Sequence, residues 1–184
     1  MLQLNFSPFP VLSTERLLLR ALQPTDDKEL FALRSDDNIN KYLDRPKAHS
    51  IEDARKFIQR ISDGIANNEC IFWVITFKHE TVLAGTICLW NINKENAVAE
   101  IGYELLTQYH GKGIMQEAAK EVIAFSFEQM QLQSIEACLH KDNLASVKLL
   151  ERNKFIRNLH SQNDDEVKTG NDVLVYKLDK TGFQ

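Results

Sequence analysis

Three apolar segments of β-strand length follow one another between residues 71 and 106, and they constrain the fold of this chain more than any other feature. They are Ile71 to Phe77, Val82 to Trp90 and Ala97 to Leu106. The residues between them, 78–80 and 91–96, are polar and turn-like. Apolar runs of this length, separated by short polar turns, are typical of antiparallel strands in a meander.

Helical and strand-like patterns alternate on both sides of this meander. Before it, we predict a strand over Thr14 to Leu22, a helix from Thr25 to Arg34, a loop over 36–49 and a helix from Ile51 behind a capping box at Ser50. After it we predict a helix, a strand, a helix and two strands, over Gly111 to Gln129, Ser134 to His140, Asp142 to Arg152, Phe155 to Leu159 and Val173 to Leu178. This order predicts a mixed α/β (α+β) fold in one domain over residues 1–184, with a mostly antiparallel sheet of about seven strands and about four helices.

Composition argues against several classes of protein. The net charge of −4 disfavours a broad phosphate-binding face, and with it nucleic acid as a partner. The apolar runs are too short to cross a membrane, and the first residues lack the features of a secretory signal. Cys70, Cys88 and Cys138 lie in apolar, strand-like runs, so we expect buried free thiols and a cytoplasmic protein. The five histidines are scattered without zinc spacing, and no metal is expected.

The most informative segment is Glu100 to Met115, EIGYELLTQYHGKGIM, where an apolar strand leads through a glycine-containing loop into a long helix. Free amides at a helix N-terminus, together with the helix dipole, favour an anion there. Gly111 and Gly113 permit close approach of a phosphate and a positive φ, and Lys112 adds a positive charge. A glycine pair here is also compatible with a simple turn. Neither a Walker loop nor a dinucleotide fingerprint is present, since Gln116 stands where the latter needs glycine.

This segment resembles the acetyl-CoA motif of the GNAT superfamily of N-acetyltransferases, and in particular its RimJ/RimL-type branch. The resemblance is carried by AEIGY at 99–103, YHGKG at 109–113, EA at 117–118, TERLLLR at 14–20, NLAS at 143–146 and LERNKF at 150–155. These pieces stand in the family's order and cover about residues 12–178. The family's glycine motif fits in two registers, beginning at Gln108 or at His110. The second agrees better with the branch, and it places His110 and Met115 where Gln or Arg and a small residue are usual.

The resemblance implies a GNAT-type sheet and transfer of an acetyl group from acetyl-CoA to a primary amine, at a peptide N-terminus or on a small molecule. It implies that the backbone of Tyr103, Glu104 and Leu105 pairs with pantetheine as an added strand would, with an amide near Leu105 polarising the thioester carbonyl. The residues it places at the diphosphate are His110, Gly111, Lys112, Gly113, Ile114 and Met115. It places Asn143 and Ser146 at the pantetheine arm or sulfur, and for Asn143 a plain helix cap is an equal alternative.

Two further roles follow from what acyl transfer to an amine requires. The leaving thiolate needs a proton, which many GNAT enzymes supply from a Tyr where this chain has Leu150. Ser146 is the nearest hydroxyl, so we predict that it donates this proton or hydrogen-bonds the thiolate. Glu100 is the predicted general base, directly or through water. The alternative for Glu100 is a structural carboxylate held by a neighbouring strand, or by Arg16 or Arg20.

Other side chains of this region are expected to have structural roles. We expect Tyr103 in the core, Glu104 in a structural or solvent-facing position, and Trp73 and Trp90 in the core. The acceptor is expected to meet residues 36–49, the helix from Ile51 and the loop 161–172. The acidic run at 163–166 is equally compatible with attraction of a cationic amine and with a solvated hairpin tip.

Two alternative functions stay open, together with a homodimer. The missing Tyr at Leu150 allows an acyl-CoA-binding module that has lost catalysis. An unrelated nucleotide-binding domain is disfavoured by the absent motifs.

Overall fold

The computed structural model describes residues 2–43, 45–158 and 172–183. The strands in these ranges are β1 (Leu12–Ser13), β2 (Leu17–Ala21), β3 (Ile71–Phe77), β4 (Gly85–Asn93), β5 (Val98–Leu105), β6 (Ser134–His140), β7 (Ile156–Arg157) and β8 (Val173–Asp179). The helices are α1 (Asp27–Ser35), α2 (Asp37–Asn40), α3 (Ile51–Ala66), α4 (Ile114–Glu128) and α5 (Leu144–Arg152).

The predicted mixed, mostly antiparallel fold is confirmed. Apart from three short 3₁₀ turns, the described ranges hold two elements beyond those predicted, the strand β1 and the helix α2. Residues 36–49 were expected to be loop throughout, which is wrong for α2. This single turn forms because the Asp36 carboxylate accepts hydrogen bonds from the amides of Asn38 and Ile39. The capping box at Ser50 and Asp53, which starts α3, is present as predicted.

The strands form one sheet in the order β1-β2-β3-β4-β5-β6-β8-β7. Neighbouring strands are antiparallel except for β5 and β6, which run parallel. This parallel pairing extends only from Val98 to Glu100, whereas β5 stays paired with β4 as far as Leu105. A gap therefore opens between β5 and β6 in the interior of the sheet.

The backbone of β5 is directed into this gap at alternate residues. Leu106 donates its amide to the carbonyl of Ala84 at 2.9 Å, which fixes the phase of the hydrogen bonds between the end of β5 and β4. Antiparallel partners exchange hydrogen bonds at every second residue. The N–H and C=O groups of Ile101, Tyr103 and Leu105 therefore point away from β4 and toward the gap.

Two apolar clusters cover the two faces of the sheet. On the α4 face, Trp73, Ile87, Ile101 and Val122 belong to the larger cluster, and Trp73 is fully buried as predicted. On the α1 and α3 face, the smaller cluster includes Leu30, Leu33, Ile58, Phe72 and Val74. Because β3 is covered on both faces, its residues from Ile71 to Thr76 are all buried. None of the helices in the described ranges is long and apolar enough to cross a membrane.

Candidate active site

The start of α4 has the geometry that an anion site needs. Gly113 is the N-cap, with φ of 74° and ψ of 6°, and Gly111 also has a positive φ of 72°. These left-handed conformations favour glycine. No side chain caps this end of the helix, so the first-turn amides of α4 are not satisfied by a cap. The predicted turn is therefore present, with open donors beside it.

The other residues predicted at the diphosphate divide into exposed and buried ones. His110 and Lys112 are exposed, and the His110 Nε2 lies 2.8 Å from the carbonyl oxygen of Leu105. Ile114 is buried in the core, and Met115 is partly buried against it. The side chains of Ile114 and Met115 thus attach the start of the helix to the core, and a contact of their backbone amides with a diphosphate stays a prediction.

Glu117 connects the start of α4 to the segment before β2, a contact that sequence reasoning missed. Its Oε1 accepts from the Thr14 hydroxyl at 2.5 Å and from the Arg16 amide at 2.8 Å. The Arg16 guanidinium also donates to the Lys112 carbonyl at 3.2 Å. Both segments contributed to the family resemblance, but nothing in the sequence indicated that they touch.

A cavity of about 1100 Å³ lies on the α1 and α3 face of the sheet and reaches the gap. Its lining includes five predicted site residues, namely Glu100, Tyr103, Glu104, Asn143 and Ser146. Residues 110–115 do not line it. The predicted site therefore has two parts. One is the cavity at the gap, and the other is the glycine loop that immediately precedes α4.

Glu100 faces this cavity without a cationic partner among the described residues. Its Oε2 accepts from the Asn91 amide on β4 at 3.0 Å. Burial raises its pKa, hydrogen bonds from Asn91 and Cys138 lower it in part, and the charge of Glu136 raises it further. The alternative in which Arg16 or Arg20 holds Glu100 is wrong, because they pair with Glu117 and Asp26. A neighbouring strand does hold Glu100, through the hydrogen bond from Asn91, but this neutral donor leaves the negative charge of the carboxylate without a cationic partner.

Tyr103 and Ser146 bring two hydroxyl groups together at the gap. Tyr103 was expected in the core; its ring packs partly against the core, but the residue also lines the cavity. Burial raises the pKa of Tyr103 to about 12, and an interaction with the Ser146 side chain offsets this in part. The phenol therefore keeps its proton at neutral pH. Leu150 is buried in the core at 3% exposure and has no polar group to offer.

Asn143 is the cap of α5. Its Oδ1 accepts from the Ser146 amide at 3.2 Å, which fixes the first turn of the helix and the position of Ser146. The capping alternative is thus observed. A contact of Asn143 with a pantetheine arm stays a prediction.

Glu104 takes the structural one of its two expected positions: its Oε2 pairs with the Arg45 Nη2 at 2.6 Å, and burial raises its pKa against the pull of Arg45 and Arg34. Two other expectations about side chains near the cavity are wrong. Trp90 is not core, because it lies at the cavity and is 44% exposed. Cys138 is exposed on β6, and Cys70 and Cys88 are only half-buried. Side chains on β4 and β6 that face the cavity are not covered by a packed helix, and they therefore remain partly exposed.

The remaining predictions fall on other parts of the chain. The three cysteines are all free thiols. In the described ranges, no group of three or more His, Cys, Asp or Glu residues is arranged to hold a metal ion. The acidic run at 163–166 lies outside the described residues.

Comparison with known protein families decides the class. The family model described as acetyltransferase (GNAT) domain matches residues 16–156, which include the glycine loop, the gap and α5. The chain belongs to the GNAT acetyltransferase family. The predictions of a GNAT member and of an acyltransferase are therefore confirmed.

Individual relatives agree with this family assignment. The GNAT domain is 32% identical over 147 residues to the uncharacterized N-acetyltransferase YoaA of Bacillus subtilis, covering 80% of this chain and 83% of YoaA. It is 34% identical over 144 residues to the uncharacterized N-acetyltransferase p20 of Bacillus licheniformis, covering 78% and 81%. The fold matches RimL, a ribosomal alpha-N-protein acetyltransferase solved with coenzyme A, with a TM-score of 0.79 at 22% identity, covering 92% and 98%.

The residues of this GNAT domain fit acetyl-CoA, the acyl donor that the family assignment supports. The uncapped helix start suits a diphosphate, and the open backbone of β5 suits the amide groups of pantetheine. The amide of Leu105 is among the groups directed into the gap, where an oxyanion-stabilising donor is needed. A thioester seated in the gap would meet the cavity that contains Glu100.

Proposed function

We propose that this GNAT domain transfers the acetyl group of acetyl-CoA to a primary amine, at a protein N-terminus or on a small molecule, by direct attack of the amine on the thioester. One observation carries the proposal: the gap that suits the donor opens into the cavity that contains the uncompensated Glu100. In this proposal the donor lies in the gap and the acceptor approaches through the cavity. The RimL-like fold supports placing the chain in the RimJ/RimL-type branch.

The side chains at the gap suggest how protons move. Glu100 takes a proton from the incoming ammonium, directly or through water, and so supplies the neutral amine that attacks. The amide of Leu105 stabilises the oxyanion that develops at the carbonyl. The Tyr103 and Ser146 hydroxyls, next to each other, deliver a proton to the leaving thiolate or hydrogen-bond it. The segment from His110 to Met115 holds the diphosphate side, mainly through backbone amides.

A second candidate is an acyl-CoA-binding module without catalysis. It is favoured by the burial of Leu150, which leaves α5 without the Tyr that many GNAT enzymes use. The two candidates share the donor site and differ only in whether an amine is acetylated.

Two measurements on the purified chain test the proposal. Thermal melting with CoA, acetyl-CoA, ATP and NAD should show stabilisation by the first two only, since a ligand at a hundredfold excess over its Kd adds about 2.7 kcal/mol. Release of free thiol from acetyl-CoA should then occur with some member of a panel of amines and peptides. An increase in Tm with ATP but not with CoA would contradict the assignment of acetyl-CoA as the donor. Stabilisation by CoA without thiol release from any amine would favour the binding module.

Two broader features of the proposal rest on other observations. We propose that residues 1–184 form one acyltransferase domain, supported by the single sheet to which all described strands belong. We also propose that the protein works in the cytoplasm, supported by the three free cysteines.

A further inference from the structure

The wall of the cavity opposite the sheet carries more positive charge than its carboxylates compensate. Arg34 at the end of α1, Arg45 in the following loop and Arg60 on α3 all line it. Arg45 is already paired, because its Nη2 donates to the Glu104 carboxylate at 2.6 Å and to the Asn40 Oδ1 at 2.8 Å. Within the described residues, Arg34 and Arg60 have no carboxylate within ion-pair distance, and Arg34 lies 3.9 Å from the ring centroid of Phe57.

The electrostatics of Arg34 indicate that its charge is poorly compensated. Burial lowers its pKa to about 10, the nearby charges of Arg45 and Arg60 lower it as well, and Glu104 opposes them. Glu104 is thus one carboxylate facing two arginines, of which Arg45 holds it. Arg60 lies over the same Phe57 ring, 5.1 Å from its centroid. The charges that act on Arg34 are therefore two guanidinium groups and one carboxylate, while Asp53 and Glu69 line other parts of the wall without pairing with Arg34.

Glu100 marks a different, acidic end of the same cavity. The groups that influence its charge are Asn91, Cys138 and Glu136, and none of them is a cation or belongs to the arginine cluster. Arg34 in turn interacts with Arg45, Arg60 and Glu104. The cavity therefore has an acidic end at the gap and a basic end between α1 and α3. A ligand that suits both ends carries an amine and an anion.

We propose that the acceptor carries an anionic group, a carboxylate or a phosphate, which Arg34 and Arg60 bind while the amine lies at Glu100. This inference rests on the proposed function, because it assigns the acceptor of the same site. Guanidinium groups bind both anions through paired hydrogen bonds, and these bonds are strongest where water is partly excluded. The contact of the Arg34 guanidinium with the Phe57 ring, 3.9 Å from its centroid, limits the positions that this group can take before a ligand arrives.

The test compares matched pairs of amines that differ only in the anion. Amino acids with a terminal amine and increasing chain length are compared with their amides, and phosphoethanolamine with ethanolamine. Binding is measured by calorimetry in the presence of CoA, and acetyl transfer by thiol release. In at least one pair, the anionic member should bind about 10- to 100-fold more tightly, as expected for charged hydrogen bonds. The two series show whether a carboxylate or a phosphate is preferred.

Variants assign the preference to the arginines. Arg34→Gln and Arg60→Gln should raise the Kd and KM of the anionic amine toward those of its neutral partner, with kcat less affected. Arg34→Lys should restore part of the preference, which a purely structural Arg34 would not predict. Arg55 lies on α3 but outside the cavity lining, so Arg55→Gln is the control and should retain the preference for the anionic amine. No preference within any pair, or a preference that Arg34→Gln leaves intact, overturns the inference.

The inference and the proposed function fail in different ways. If neutral amines are acetylated as efficiently as anionic ones, the transferase stands and the anion site falls. If an anionic amine binds in an Arg34-dependent way but is never acetylated, the anion site stands and the transferase falls.

Discussion

Arg16, immediately before β2, forms an ion pair with Glu117 in the first turn of α4, with 2.7 Å between Nε and Oε2. Together with the bonds from the Thr14 hydroxyl and the Arg16 amide, this pair gives the Glu117 carboxylate three donors. The Arg16 guanidinium also lies close to Gly113, where a Cβ would meet its Nη2 at 3.6 Å. The pair therefore fixes the start of the helix that is expected to hold the diphosphate.

Glu117→Gln should weaken both the fold and donor binding. Burial raises the pKa of Glu117, but hydrogen bonds from Thr14 and Arg16 outweigh this, and the net pKa lies below its usual value. A depressed carboxyl pKa stabilises the fold above the unfolded pKa, and this stabilisation is lost as pH falls through the folded pKa. We expect Tm to fall by about 2–4 °C at neutral pH, if the ion pair contributes about 1 kcal/mol, and the difference from wild type to vanish in acid.

Donor affinity gives a second measurement of the same contact. The Kd for acetyl-CoA should rise about three- to tenfold in Glu117→Gln, as expected for a charged hydrogen bond. Glu121→Gln, one turn later on α4, is the control and should change neither quantity. An unchanged Kd in Glu117→Gln would mean that the helix start is held by its own turn.

Gly113→Val should weaken acetyl-CoA binding far more than Lys112→Ala. The φ of 74° at Gly113 is unfavourable for a β-branched residue, and the added side chain would crowd both Arg16 and a bound diphosphate. Lys112 is exposed, so solvent screens its charge. Titration of each variant with CoA measures the difference. A larger loss in Lys112→Ala would show that charge, rather than the backbone, binds the phosphates.

The elements that sequence predicted best are those that depend on local signals. The predicted bounds of β3 and β6 match the structure, because apolar runs end at polar turns. The positive φ values of Gly111 and Gly113 are ones that the residue type was expected to permit. The helix α2 was missed because its segment is polar, and it forms through a cap at Asp36 that also fits a loop.

Contacts between distant segments were not predictable in the same way. Glu104 and Arg45 are 59 residues apart in sequence, and only the packing of the loop before α3 against β5 brings them together. Tyr103 packs against the core as expected for its position in the strand, yet it also lines the cavity. Trp90 is apolar enough for a core, yet it faces a cavity. In each case the sequence gives the type of residue, but it does not show which residues or cavity that side chain contacts in the fold.

Tyr103→Phe and Ser146→Ala should each lower kcat without changing its dependence on pH. The pKa of Tyr103, about 12, keeps the phenol protonated throughout the usual assay range. General acids contribute about 10²- to 10⁴-fold in rate, so a loss near the lower limit is expected because a thiolate is a good leaving group. If the two hydroxyls act as a pair, the double variant should be little worse than the more damaging single one.

The matched control for this pair is Tyr176→Phe, on β8 and outside the cavity lining. Its hydroxyl lies 3.4 Å from the Glu151 carboxylate, so its removal tests the general effect of losing a phenol. Full activity in both Tyr103→Phe and Ser146→Ala would show that water protonates the thiolate.

Glu100→Gln should remove the acidic limb that comes from the Glu100 carboxyl, and leave only the dependence on pH that is set by the amount of free amine. Burial raises the pKa of Glu100, so wild-type kcat/KM should fall as pH drops through a value above the usual one for glutamate. The variant should lose most activity near neutral pH and recover partly at high pH, where free amine is abundant. Stability should change in the opposite direction. A carboxyl with a raised folded pKa costs stability above that pKa, so Glu100→Gln should melt at a slightly higher temperature at neutral pH.

Glu136→Gln is the control that makes this test specific for Glu100. Glu136 lies opposite Glu100 in the parallel pairing of β5 with β6, and its charge raises the pKa of Glu100. Removing that charge should shift the acidic limb to lower pH while leaving the rate at its plateau unchanged. If Glu100→Gln retains the limb, or Glu136→Gln abolishes activity instead of shifting it, another group takes the proton from the amine. In that case Glu100 is a carboxylate held by Asn91, and the reaction depends on positioning and on the backbone amide near Leu105.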